Sequence, residues 1–374
     1  MENSVARPEV AIFLGAGASC SEGAPSQAKL FAEFFSESFE GYRGMPVSHP
    51  SLQGIKVLKN GLVRFFEVFF GFDPTKPPPI SQFPTFEEAL GIVDLALSRD
   101  DGFRGFEGNL SPQQWGATLR NVRTNFVFLI ALILDKKLEQ SKGHHRLLVE
   151  NLRANGILDK CAFVSFNYDI LIDNALDGYY TDHFWDYGIG FDNIGGQGNH
   201  AGELTPTSLL KLHGSLNWLY CSTCRSVTLT RYEKGVVDVL INPAQGRCQK
   251  CGALRVPVIV PPTYFKVLSN IFIQIVWYKA EQILNNCRAW VFCGYSFPDA
   301  DMHVKYLLKR VQVNSKPPKI VVVNWHKDKE LRAADEEEKR YRRFFGAASQ
   351  LEYEKISFDE FAENPNGLLN KVLT

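Results

Sequence analysis

Val10-Ala-Ile-Phe-Leu14 runs directly into Gly15-Ala-Gly-Ala-Ser19. Five apolar residues without a polar break predict a strand buried on both faces. A helix is expected over Gln27–Phe39, because Phe31, Phe34, Phe35 and Phe39 recur at helical spacing. A strand, a glycine turn and a helix in that order form the opening unit of a nucleotide-binding sheet. In such a unit Gly15, Ala16 and Gly17 bring backbone N–H groups toward a pyrophosphate, and Ser19 caps the helix or touches phosphate. The pattern departs from GxGxxG, since Cys20 stands where a third glycine would fall, and the chain has no GxxxxGK[ST] loop. Glycine serves tight turns for many reasons, so this turn alone leaves the nucleotide reading open.

Four more apolar strands are expected further along: Cys161–Phe166, Leu209–Leu212, Ala289–Cys293 and Ile320–Val323. Each runs out into polar or glycine residues: Asn167-Tyr-Asp169, His213-Gly214, Gly294-Tyr-Ser296 and Asn324. Continuous apolar strands separated by helices predict an α/β fold, a Rossmann-like parallel sheet with helices on both faces. Ligands of such sheets bind beyond the carboxyl ends of the strands, where these polar residues fall. Asn167-Tyr-Asp169 reads equally as a turn with an Asx cap, and Asp299 or Asp301 reads as an N-cap.

Gly41 to Gln140 has a different character. Pro74–Pro84 is a loop, Thr85-Phe-Glu-Glu88 is a capping box opening a helix to about Ser98, and Asn121–Glu139 is a second helix. The expected organisation is a core over residues 1–40 and 141–330, a helical insertion over 41–140, a small metal module over 214–262, and a charged helical tail over 331–374. A further helix is expected over Arg146–Ala154, with His144 and His145 at the surface.

Lys plus Arg and Asp plus Glu stand at 41 each, so no net field points to a nucleic-acid or anionic-membrane partner. The longest apolar run, Phe126–Leu134, is well short of the roughly 20 residues that span a bilayer. No signal peptide is visible, so the expected location is cytoplasmic, where thiols stay reduced.

Two CxxC pairs, Cys221-Ser-Thr-Cys224 and Cys248-Gln-Lys-Cys251, fit a structural zinc ribbon, two tight turns closing a tetrahedral S4 cage. Cys20, Cys161, Cys287 and Cys293 lie in or beside apolar runs and are expected to be buried. His213 precedes the metal module, and imidazole has the right pKa for proton transfer near neutrality.

In order, Gly-Ala-Gly-Ala-Ser, Gly23-Ala-Pro25, Asn-Tyr-Asp, His-Gly, four cysteines, Gly-Tyr-Ser and a strand ending in Asn resemble the Sir2 superfamily. That resemblance implies a Rossmann-like domain with a zinc ribbon, and NAD+ as substrate. It implies that Gly15, Gly17 and Ser19 hold the phosphates. Asn167 and Asp169 would contact the nicotinamide side, and His213 would act as general base. Gly294, Ser296 and Asn324 would bind the adenosine half. Where deacylating members continue with Asp-Phe-Arg, this chain has Ser26-Gln-Ala28, and Val258-Ile-Val-Pro-Pro262-Thr263 replaces their peptide-pairing strand. Prolines remove donors from such an edge. Asn-Tyr-Asp, Pro-Pro-Thr and Gly-Tyr-Ser-Phe-Pro-Asp-Ala-Asp are similar to the bacterial Sir2-like branch of anti-phage defence. This implies an NAD glycohydrolase, a homo-oligomer, and a HerA-type ATPase or Argonaute-like partner. The alternatives are an NAD-dependent deacylase or mono-ADP-ribosyltransferase, and an inactive NAD-binding assembly subunit.

Overall fold

Val10–Leu14 (β1) lies at the centre of a seven-stranded parallel sheet, every residue buried. The computed structural model describes residues 8–36, 41–42, 45–46, 49, 52–76, 83–107, 112–177, 185–194, 207–230, 234–242, 244, 246–260, 270–299, 301–326, 331–346 and 349–373. The other strands among them are β2 Gly41–Tyr42, β3 Met45–Pro46, β4 Cys161–Ser165, β5 Trp185–Asp186, β6 Thr207–Lys211 and β7 Gly214–Cys221. They continue as β8 Ser226–Leu229, β9 Val256–Ile259, β10 Ala289–Cys293, β11 Lys319–Val323 and β12 Leu351–Glu354. The helices are α1 Ala16–Ser21, α2 Leu30–Phe35, α3 Gln53–Phe70, α4 Phe86–Arg99, α5 Arg104–Glu107, α6 Pro112–Lys137 and α7 His144–Ala154. They continue as α8 Leu171–Asp177, α9 Gly235–Ile241, α10 Ile271–Leu284, α11 Met302–Asn314, α12 Leu331–Phe345, α13 Phe358–Glu363 and α14 Pro365–Leu373.

The main sheet has the order β12-β11-β10-β1-β4-β6-β5. All residues of β1, β4, β6 and β10 are buried, as a sheet flanked by helices requires. From β1 the chain builds toward β4 on one side and later resumes at β10 on the other. The junction of β1 and β10 is therefore the topological switch point, where such sheets open a crevice. A separate sheet, β8-β7-β9, starts at Gly214 directly after His213. Gly214 has φ +81°, and a Cβ there would overlap the carbonyl oxygen of Val258, so only glycine permits this crossing of β7 and β9.

The described residues form two hydrophobic cores. One surrounds the main sheet. The other joins α2, α3, α4 and α6 to Leu216 and Leu219 of β7 and to Val236 and Val237 of α9. Phe31, Phe66, Phe86 and Phe126 pack there at ring separations of 4.9 to 5.7 Å. The capping box opens α4 as expected: Thr85 N donates to Glu88 Oε2 at 2.7 Å, and Glu88 N to Thr85 Oγ1 at 3.1 Å. Within α6, Gly116–Lys137 is long and apolar enough to cross a membrane by length and composition. Its Leu129–Ile133 stretch is instead buried in this second core.

Three expectations need correction. The segment beyond residue 330 is not only a charged helix, because it supplies the edge strand β12 and docks through Tyr341, Phe345, Phe358 and Phe361 into the main core. The first helix is shorter than Gln27–Phe39: a 3-10 turn covers Gln27–Lys29, α2 ends at Phe35, and Phe39 is outside the described residues. His145 is buried, not at the surface, because Glu22, distant in sequence, offers it a carboxylate.

Candidate active site

Strand register brings the polar turn residues to one level. Leu14 pairs with Ser165 and Cys293, Ser165 with Lys211, and Cys293 with Val323. The residues just beyond these, Gly15, Phe166, Leu212, Gly294 and Asn324, therefore form one rim. Gly15 N donates to Cys293 O at 2.9 Å and Gly17 N to Gly294 O at 2.7 Å. Gly294 has φ +62°, and a Cβ on it would collide with the Ala18 amide. The glycines thus lock the β1 turn to the β10 turn. The amides of Gly15 and Gly17, expected to hold phosphate, are engaged by protein carbonyls.

Two cavities meet at Gly294. The smaller, about 180 Å³, is lined by Ala16, Ser19, Asn167, Asp169, His213 and Ser296, among others. Asn167 Nδ2 donates to Gly15 O at 2.8 Å and to Ser19 Oγ at 2.9 Å. Ser19 Oγ in turn donates to Asp169 Oδ2 at 2.6 Å. Asp169 also keeps the Asx-type cap, accepting from Leu171 N at 3.1 Å. One amide, one hydroxyl and one buried carboxylate are fixed relative to each other by sequence-distant contacts. His213 Nδ1 lies 3.2 Å from Phe166 O. A carbonyl only accepts, so Nδ1 carries the proton and Nε2 is the basic atom of the neutral ring.

Beneath this cavity lies an ion pair absent from the sequence-based expectations. Lys211 Nζ bonds to the main-chain carbonyl of Asp169 and lies 2.9 Å from Asp173 Oδ2. Tyr187 OH donates to Asp173 Oδ1 at 2.5 Å, and burial pushes that phenol well above its ordinary pKa. A lysine inside the apolar run Leu209-Leu-Lys-Leu212 was the available signal.

The larger cleft, about 780 Å³, is lined by Gly17, Asn324, Lys29, Lys137, Trp325 and Asp359, among others. Asn324 Nδ2 donates to the buried Glu337 at 2.8 Å, and Tyr353 OH donates to the same carboxylate at 2.9 Å. Ser296 and Ser19 line the smaller cavity, whereas Asn324 lines the larger cleft. Cys20 also departs from expectation: it is half-buried and lines this cleft, whereas Cys161, Cys287 and Cys293 are buried. Asp301 is the N-cap of α11 but makes no capping bond, because its carboxylate accepts from Tyr295 OH at 2.8 Å.

The loop Gly23-Ala24-Pro25 borders the larger cleft, and Ala24 and Pro25 border both cavities. Glu22 anchors it. Glu22 Oε1 accepts from His145 N and Nδ1, each at 2.9 Å, and Oε2 accepts from Gly143 N at 2.8 Å. Burial alone would raise this carboxyl, but the three hydrogen bonds and the facing imidazole outweigh it and hold it down to about 2.

Cys221, Cys224, Cys248 and Cys251 place their sulfurs within 4.8 Å of one another. Cys221–Cys251 and Cys248–Cys224 are 3.5 and 4.0 Å apart, bracketing the roughly 3.8 Å edge of a thiolate tetrahedron around a metal at about 2.3 Å. Amides of Cys251 and Lys250 pull the Cys248 thiol down to about 6. The donor set fits a metal. The same module touches the site: Val260 N donates to His213 O at 2.9 Å, and Tyr168 OH donates to Val260 O at 2.8 Å. Pro262 and Thr263 lie outside the described residues.

Residues 162–345 match the SIR2-like domain family. No curated protein matches the chain. The matched stretch contains Asn167, Asp169, His213, the four cysteines, Gly294, Ser296 and Asn324. The glycine turn with Ser19, and every insertion residue that walls the smaller cavity, come from outside the matched stretch.

Proposed function

We propose that the protein hydrolyses NAD+ to nicotinamide and ADP-ribose, with the nicotinamide end in the smaller cavity and the adenosine end in the larger cleft. One observation carries this reading. Asn167, Asp169 and His213 share a cavity that helices α4 and α6 of the insertion wall off through Glu87, Ile130 and Leu134. At about 180 Å³, this cavity is below the roughly 300 Å³ of a typical small-ligand pocket. It suits one end of a dinucleotide and water better than an acyl-lysine peptide.

Nicotinamide leaves as a neutral base from a cationic ring, so bond cleavage needs little acid. The ribose C1′–N bond breaks with its electron pair going to the ring nitrogen. A water oxygen then bonds to C1′, and its proton passes to His213 Nε2, directly or through a ribose hydroxyl. Asp169 favours the positive charge developing on the ribose, and Asn167 positions the water. Catalysis rests on positioning and local electrostatics. Zinc held by Cys221, Cys224, Cys248 and Cys251 would be structural, since four thiolates leave no position for water. Through Val260 the module steadies His213 and Tyr168. Following the anti-phage branch that the chain resembles, we place this activity in a cytoplasmic homo-oligomer working with a HerA-type or Argonaute-like partner.

The test is NAD+ turnover by purified protein without acylated peptide, alongside NAD+ levels in phage-infected cells carrying the protein or its His213→Ala variant. Free nicotinamide in both settings supports the proposal. Consumption only with an acyl-lysine peptide refutes it.

A further inference from the structure

The helical insertion does more than cover the smaller cavity. Helix α4 begins at its rim, and Glu87, in the first turn, is half-buried and lines it. Gln27 Nε2 donates to Glu87 Oε1 at 3.3 Å. Asp169 and Asp301 line the same cavity, and no lysine or arginine does so among the described residues. The buried Lys211 sits below Asp169 and is neutralised by Asp173. The larger cleft differs, with Lys29 and Lys137 in its wall.

Three carboxylates around one cavity, Asp169 buried and Glu87 and Asp301 half-buried, favour a cationic occupant, because charge interactions at partly buried sites are screened less than in water. On the proposed orientation the occupant is the pyridinium ring of NAD+. Its reduced counterpart, the dihydropyridine ring of NADH, has nearly the same shape and no charge. We infer that Glu87, delivered by the insertion, is a specificity-determining residue that makes the smaller cavity select the oxidised, positively charged form of the dinucleotide. This rests on the orientation in the proposed function but concerns ground-state recognition and not cleavage. The capping box uses Thr85 and Glu88, which leaves Glu87 of the same turn to line the cavity.

The experiment compares affinities for NAD+ and NADH by calorimetry, in a His213→Ala background that leaves NAD+ uncleaved. The parent should bind NAD+ more tightly than NADH. Glu87→Gln, which keeps the shape and a hydrogen bond to Gln27, should weaken NAD+ binding about tenfold with NADH affinity unchanged, the size expected for one partly screened charge. Glu87→Asp, which keeps the charge, should retain most of the preference. A fold-related effect of Glu87→Gln would instead weaken both dinucleotides together. Equal affinities in the parent, or an unchanged ratio in Glu87→Gln, overturns the inference even if the protein hydrolyses NAD+. A Glu87-dependent preference in a protein that never cleaves NAD+ sustains the inference and refutes the hydrolase reading.

Discussion

The two cavities that meet at Gly294 are built differently, although the same sheet edge frames both. The smaller one is rigid and acidic. Its amide, hydroxyl and carboxylate bond to one another, and a buried ion pair supports them from below. The larger one is wide and carries charges of both signs, and Trp325 stands half exposed in its wall. Chemistry needs fixed geometry at reacting atoms, whereas a remote handle needs mainly contact area and charge. Substitutions should therefore separate the two: those in the smaller cavity should stop turnover, and those in the larger cleft should weaken binding.

The largest effect is expected from His213→Ala and Asn167→Ala. Each should lower NAD+ turnover by about 10³-fold, with ADP-ribose affinity close to wild type because the larger cleft is intact. Steady-state kinetics with calorimetry on the variants checks this, and parallel losses of turnover and ADP-ribose binding would break the distinction. Next is Lys211→Met. It leaves Asp173 buried without its counter-charge, which costs about 3–5 kcal/mol, read as a fall in the urea midpoint. The paired variant Lys211→Met with Asp173→Asn should recover much of that stability but not the activity, because the Asp169 carbonyl still lacks its donor.

Glu22 gives a pH signature. Its folded pKa of about 2 lies below the ordinary 4.5. Its contribution is therefore present above about pH 4.5 and is lost as pH falls toward 2. Glu22→Gln should destabilise by on the order of 3 kcal/mol at pH 7. The difference from wild type should shrink steadily below about pH 4.5 in denaturant titrations. A difference that stays constant down to pH 3 would show that the carboxylate charge does not matter. Smaller still is Trp325→Ala, expected to raise KM a few-fold with kcat unchanged. On the proposal that the four cysteines hold zinc, treatment with a chelator, or Cys248→Ser, should lower kcat more than KM, because Val260 connects the module to His213.

Much of this framework could be read locally. β1 and β10 coincide with their apolar runs to the residue, because a strand buried on both faces leaves nothing polar to confuse its ends. The four cysteines were legible for the same reason, since each CxxC spacing is a local turn. β12 was not. Leu351-Glu-Tyr-Glu alternates, as an edge strand with one wet side does, and resembles its charged surroundings. β5, only two residues long, carries no pattern at all. Within the site, Asn167, Asp169 and His213 fell at strand ends where such sheets bind ligands. What could not be read was pairing across the chain. Nothing local to Ser19 signals that its hydroxyl donates a hydrogen bond to Asp169, 150 positions away. His145 reads as a surface residue until Glu22, 123 positions away, faces it. Ser296 lines the same cavity as His213, and Asn324 lines the other.

The central claim is that the smaller cavity hands the ribose of NAD+ to water. Incubating the purified protein with NAD+ alone, and following products by NMR, tests it directly. The account predicts nicotinamide and ADP-ribose in equal amounts, and no cleavage by His213→Ala. Intact NAD+ until an acylated peptide is added, with the ADP-ribose then carrying the acyl group, would contradict it.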